Sequence, residues 1–64
     1  MKIIDFSIDL DEVLLIDYDC KKDLFIICFK DDEEIYVDSK IAKKIYHALR
    51  KAKIKGWSTA VDFD

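Results

Sequence analysis

His47 is the only histidine in the chain, and its charged neighbours in sequence are Lys43, Lys44, Arg50 and Lys51. It therefore has cations around it and no carboxylate to form the base–acid pair that proton transfer or nucleophile activation needs. No serine, threonine or cysteine stands at a recognisable spacing from it, and 64 residues leave little room for a concave pocket. A solvated surface histidine is expected, and catalysis is not. Asp17-x-Asp19-x-x-x-Asp23 opens like a calcium loop, but Lys21 and Lys22 occupy the places of a ligand and of the glycine such a loop requires. Asp31-Asp32-Glu33-Glu34 reads as a solvated turn. No metal site and no cofactor are expected. Of the two cysteines, Cys28 lies in the apolar run Leu24–Phe29 and Cys20 in a charged turn, which is no disulfide framework.

What remains is surface chemistry, and it is sorted along the chain. Residues 1–38 carry twelve acids and four lysines, residues 39–64 seven bases and two acids, so a net charge of −3 hides segments of −8 and +5. Lys40, Lys43, Lys44, His47, Arg50 and Lys51 occupy one arc of a helical wheel with no acid among them. Like charges at i,i+4 cost a few tenths of a kcal/mol each on a helix (~0.2–0.5), so a compensating surface is expected. That surface is the acidic rim of the same molecule, an acidic protein, or a nucleic-acid backbone. Asp5, Asp9, Asp17, Asp62 and Asp64 sit in or beside strand-like segments, where aspartate is disfavoured. Alternate carboxylates on a strand are about 6.7 Å apart, near the spacing of successive phosphates. These acids thus suggest either nucleic-acid mimicry or protection of exposed strands against aggregation.

The elements that position these residues follow from apolar periodicity. Ile4, Phe6, Ile8 and Leu10 alternate with polar residues, as a half-buried strand does. Val13–Tyr18, Leu24–Lys30 and Glu34–Val37 read as further strands, separated by the loop 19–23 and the turn 31–33. Neither turn contains glycine, so aspartate must supply any left-handed residue. Asp38 or Ser39 caps a helix predicted to run to Ile54 or Lys55, with Ile41, Ala42, Ile45, Ala48, Leu49 and Ala52 as its apolar stripe. Gly56 is the natural residue to end it. The alternation from Trp57 to Asp64 predicts a closing strand.

The expected fold is α+β, an antiparallel β-meander of four to five short strands packed on a single α-helix in ββββαβ order, one domain over residues 1–64. Its longest apolar run is six residues, far below the roughly 18 that span a bilayer, and no signal peptide is visible. A reduced, cytoplasmic protein without membrane contact is expected. The strands from Val13 to Phe29 are apolar on both parities, and one helix covers only one face of a sheet. The other face calls for a curled sheet, a homodimer or another chain. The sequence thus points to a small acidic non-enzymatic protein that binds another protein. A phage- or mobile-element-encoded inhibitor of a host protein is one such molecule. The alternative is a nucleic-acid-binding module using the basic helix face.

Overall fold

The computed structural model describes residues 8–63, and within them the chain is α+β. A 3-10 turn, Leu10–Glu12, leads into β1 (Val13–Asp19), β2 (Leu24–Phe29) and β3 (Glu34–Val37). The helix α1 (Ser39–Lys51) and the short β4 (Ser58–Thr59) follow. Three strands form the expected antiparallel meander, and the sheet order is β3-β2-β1-β4. The expected strand Ile4–Leu10 lies mostly outside the described residues. Its described end is not strand, because Asp9 caps the 3-10 turn by accepting the Asp11 N–H at 3.1 Å.

A bulge decides which apolar residues reach the core. Val13 pairs with Phe29 and Leu15 with Cys28, so the register shifts between them and Leu14 is the extra residue, 46% exposed. That shift lets Val13 and Ile16, of opposite parity in sequence, point to the same side, where both are fully buried. Ile16 pairs with Ile27, and these three meet Ile45 and Leu49 of the helix. Phe25 and Phe29 lie on the same side of β2 as Ile27 and pack on this core.

Asp38 caps α1 by accepting the Ile41 N–H at 2.9 Å. The helix is shorter than the periodicity indicates, ending at Lys51 rather than near Ile54. Ile54 N–H donates to Leu49 O at 3.0 Å and Lys53 N–H to Arg50 O at 3.1 Å, the paired bonds of a Schellman ending. The left-handed residue is Lys53 (φ 56°), not Gly56, whose φ of 84° instead serves the link to β4. Ala52 consequently leaves the apolar stripe and is exposed, while Tyr46 joins the core.

The closing strand is shorter than its alternation suggests and runs parallel to β1. The Thr59 hydroxyl accepts the Val61 N–H at 3.0 Å, turning the chain off just after Ala60, whose N–H still donates to Ile16 O at 2.9 Å. The tail is held by rings instead: Phe63 stacks on Tyr46 (4.8 Å between centroids) and on Phe25 (5.5 Å), and Trp57 meets Tyr46 edge-on. Trp57 Nε1 donates to Ile54 O at 2.8 Å, so the indole brings no unsatisfied donor into this cluster.

Candidate interaction surfaces

Pairing sets the side chains of the sheet's second face. Leu15 stands opposite Cys28, Asp17 opposite Ile26, and Asp19 opposite Leu24. Tyr36 stands opposite Ile26, and Glu34 opposite Cys28. Among the described residues no helix or strand lies across this face. Its centre is therefore apolar (Leu15, Leu24, Ile26, Cys28) and half-buried, with Tyr36 41% exposed beside it. Asp17, Asp19 and Glu34 border it, and Lys22 reaches over Tyr36, with Nζ 4.5 Å from the ring centroid. Burial first, then the charges of Glu34 and Asp17, push the Cys28 thiol above its ordinary value.

On the opposite side of the molecule, Lys40, Lys43, Lys44, His47, Arg50 and Lys51 are all exposed on α1. Arg50 donates to the Tyr46 hydroxyl at 3.2 Å and lies 5.7 Å from that ring, so the aromatic cluster orders its guanidinium. Arg50 and Lys51 favour the negative end of the helix dipole, but Lys40 sits in a first turn that holds no acid.

Of the five acids that sequence singled out, three are among the described residues. Asp5 and Asp64 lie outside those residues. Asp9 caps the 3-10 turn, Asp17 is in the middle of β1, and Asp62 is in the tail between Val61 and Phe63. Asp9 instead meets Glu12, Asp31 and Glu33, which with Ile8, Phe29 and Ile35 line a shallow cleft of about 240 Å³. A second cleft, about 250 Å³, runs between Ile8, Leu10 and the helix residues Lys44, Ile45 and Ala48.

Several acids are engaged by the backbone. Asp19 accepts the Lys21 and Lys22 N–H groups, and Asp31 accepts that of Glu33. Asp23, the last acid of the calcium-like spacing, accepts the Tyr18 hydroxyl at 2.6 Å. Among the described residues no three His, Cys, Asp or Glu side chains come together to hold a metal ion, and no helix is long and apolar enough to cross a membrane.

The residues missed in sequence are Glu34 and Tyr36. A four-residue strand gives no parity signal strong enough to show which face its members share, and only the register with β2 does so. No family model matches the chain, and comparison with curated proteins and with solved structures finds no significant match.

Proposed function

We propose that this protein acts by stoichiometric contact with another protein, through the open face of its sheet, and has no enzymatic activity of its own. The observation that carries this reading is the face itself: Leu15, Leu24, Ile26 and Cys28 in the centre, Tyr36 exposed at its side, Asp17, Asp19 and Glu34 around them. An apolar centre with a charged rim is the anatomy of protein interfaces, and tyrosine is enriched at their hot spots. The rim's sign selects a partner whose own rim carries lysine or arginine. An inhibitor of a host protein, encoded by a phage or mobile element, fits such a module. Mimicry of nucleic acid by the Asp-rich strands is a narrower form of the same reading.

The test is affinity capture from nuclease-treated lysate with three baits. The unaltered protein should retain one protein in stoichiometric amount, Ile26→Glu should lose it, and Lys40→Glu/Lys43→Glu should keep it. A partner retained equally by Ile26→Glu, or none retained at all, would count decisively against the open face.

The second reading, a nucleic-acid-binding module, rests on one observation. The helix Ser39–Lys51 contains no acid, and its six basic positions are all exposed. It requires affinity for DNA or RNA that falls steeply with salt as counterions are released, and that Lys40→Glu/Lys43→Glu abolishes. Against it stand the net charge of −3 and the absence of an aromatic residue within the arc to stack on bases.

A further inference from the structure

We infer that β3 is a homodimer edge, pairing antiparallel with the β3 of a second copy in the register that sets Ile35 opposite Ile35. The starting point is the strand's place and polarity. Among the described residues β3 ends the sheet order β3-β2-β1-β4. Phe29 N–H donates to Glu33 O at 2.8 Å, and Ile35 and Val37 stand opposite Ile27 and Phe25. In an antiparallel ladder, hydrogen-bonded and non-hydrogen-bonded pairs alternate. Residues 33, 35 and 37 therefore turn their backbone groups toward β2. The N–H and C=O of Glu34 and Tyr36 point outward from the edge.

Proteins usually blunt such an edge with proline, lysine, a bulge or a covering segment. β3 reads Glu-Ile-Tyr-Val, has no irregularity in its pairing with β2, and leaves Ile35 36% and Tyr36 41% exposed. The opposite edge is different, since β4 is only two residues long and the chain turns off after Ala60, with the Val61 N–H taken by the Thr59 hydroxyl.

Electrostatics selects the occupant and the register. Two copies of one strand pair antiparallel about an axis perpendicular to the sheet, which keeps each residue on its own face. Three registers of this kind use the outward groups. Centring on Glu34 sets two carboxylates against each other, and centring on Tyr36 sets Glu34 against Asp38 twice. Centring on Ile35 sets Glu34 against Tyr36 of the second copy, and Tyr36 is the ring over which Lys22 lies, 4.5 Å from its centroid. Each Glu34 then meets Lys22 of the second copy, and symmetry makes the contact twice. On the helix side the two Ile35 side chains form a close non-hydrogen-bonded pair. Asp32 would next approach Asp38, but the ladder stops short of both. Asp32 is left-handed (φ 71°) and Asp38 caps the helix.

The result is an eight-stranded sheet with both helices on one side and the two open faces continuous on the other. The contact shares Glu34 and Tyr36 with the border of the open face but not its apolar centre, and its test reads self-association, so it stands or falls separately from the open-face partner proposed above.

The experiment is sedimentation velocity across concentration, on the unaltered chain and on Glu34→Lys and Lys22→Glu. The unaltered protein should pass from 7.5 kDa to twice that mass as concentration rises. Each variant alone sets like charges together at both contacts and should dimerise at least about tenfold more weakly. An equimolar mixture of the two should recover dimer, because both contacts in the mixed pair are then attractive. Amide exchange on the unaltered chain provides a readout free of any folding defect: the Glu34 and Tyr36 N–H groups should gain protection as dimer forms. A mass of 7.5 kDa up to millimolar concentration would overturn the inference. So would a dimer indifferent to both substitutions, or one in which those two amides exchange as freely as in the monomer.

Discussion

Asp23 performs two tasks at the end of the β1–β2 hairpin. Its backbone is left-handed (φ 56°), a conformation open to aspartate at lower cost than to most residues, and its carboxylate accepts the Tyr18 hydroxyl at 2.6 Å. That hydrogen bond, with smaller contributions from burial and from the charges of Asp23, Cys20 and Asp19, raises the Tyr18 pKa above its ordinary value of 10.0. The raised value means that folding favours the neutral phenol. Its contribution to stability is present below about pH 10 and disappears as pH rises through the folded-state value. Because Tyr18 is exposed, the consequence is to be sought in titration rather than in stability. Phenolate absorbance should show a tyrosine ionising above the ordinary range, and Asp23→Asn should bring it back toward that range. An unchanged midpoint in Asp23→Asn would remove the hydrogen bond as the cause. The cysteines offer a parallel contrast. Cys20 is exposed in the loop, while Cys28 has its thiol raised chiefly by burial, so less of it is thiolate, the form that reacts. Alkylation near pH 8, followed by mass spectrometry of peptides, should label Cys20 at least about tenfold faster than Cys28. Equal rates would mean that water reaches Cys28 freely across the open face.

At the scale of elements, the end of α1 supplies the clearest prediction. Lys53 occupies the left-handed position of the Schellman ending, where a side chain costs about 1 kcal/mol relative to glycine. Lys53→Gly should therefore stabilise the protein by about 0.5–1 kcal/mol in denaturant unfolding, provided that the greater freedom of glycine in the unfolded chain does not consume the gain. A loss of stability would show that Lys53 is held by more than its backbone. The same position shows where the sequence stops being readable. Strand bounds in the hairpins follow from alternation and from polar residues at the breaks, and they lie within one residue of those expected, while of the two cap candidates the structure uses Asp38. The helix end is not, because the usual rule gives the left-handed residue to Gly56 while Ile54 continues the apolar period. The bulge at Leu14 leaves no mark either, since Val13-Leu14-Leu15-Ile16 is apolar in both parities and fits any register. Thr59 ends β4 through a hydroxyl that alternation cannot anticipate. The basic arc of the candidate surfaces was legible as a helical pattern. Glu34 and Tyr36 were not, because their importance arises from the partner strand β2 and from Lys22 in another loop.

At the scale of the molecule, the segregation of charge raises the question of whether the two halves attract each other enough to stabilise the fold. For the acids of the sheet's far face the dimensions argue that they do not, whereas the 3-10 turn Leu10–Glu12, which packs against α1, holds acids nearer to Lys44. The protein measures 29 × 27 × 25 Å, and the basic residues are exposed on α1 while the sheet's acids line its far face and the end of the β2–β3 turn. Opposite charges separated by much of that span lie beyond the Debye length, which is about 10 Å at 0.1 M salt. Like charges are closer. Lys40 and Lys44 are one turn apart on the helix, and Asp9, Glu12, Asp31 and Glu33 share one cleft. Neighbouring like pairs on a helix cost about 0.2–0.5 kcal/mol each. Short-range repulsion within each half should thus outweigh long-range attraction between them, and screening should help the fold. Raising sodium chloride from roughly 0.02 to 0.5 M, over which the Debye length falls from about 20 Å to about 4 Å, should raise the Tm by a few degrees. The measurement belongs on Glu34→Lys at low concentration, where the proposed dimer contact is absent and cannot add its own salt dependence. A Tm that falls with salt in that variant would mean that attraction between the halves dominates, and that the basic arc is already partnered by its own acidic sheet.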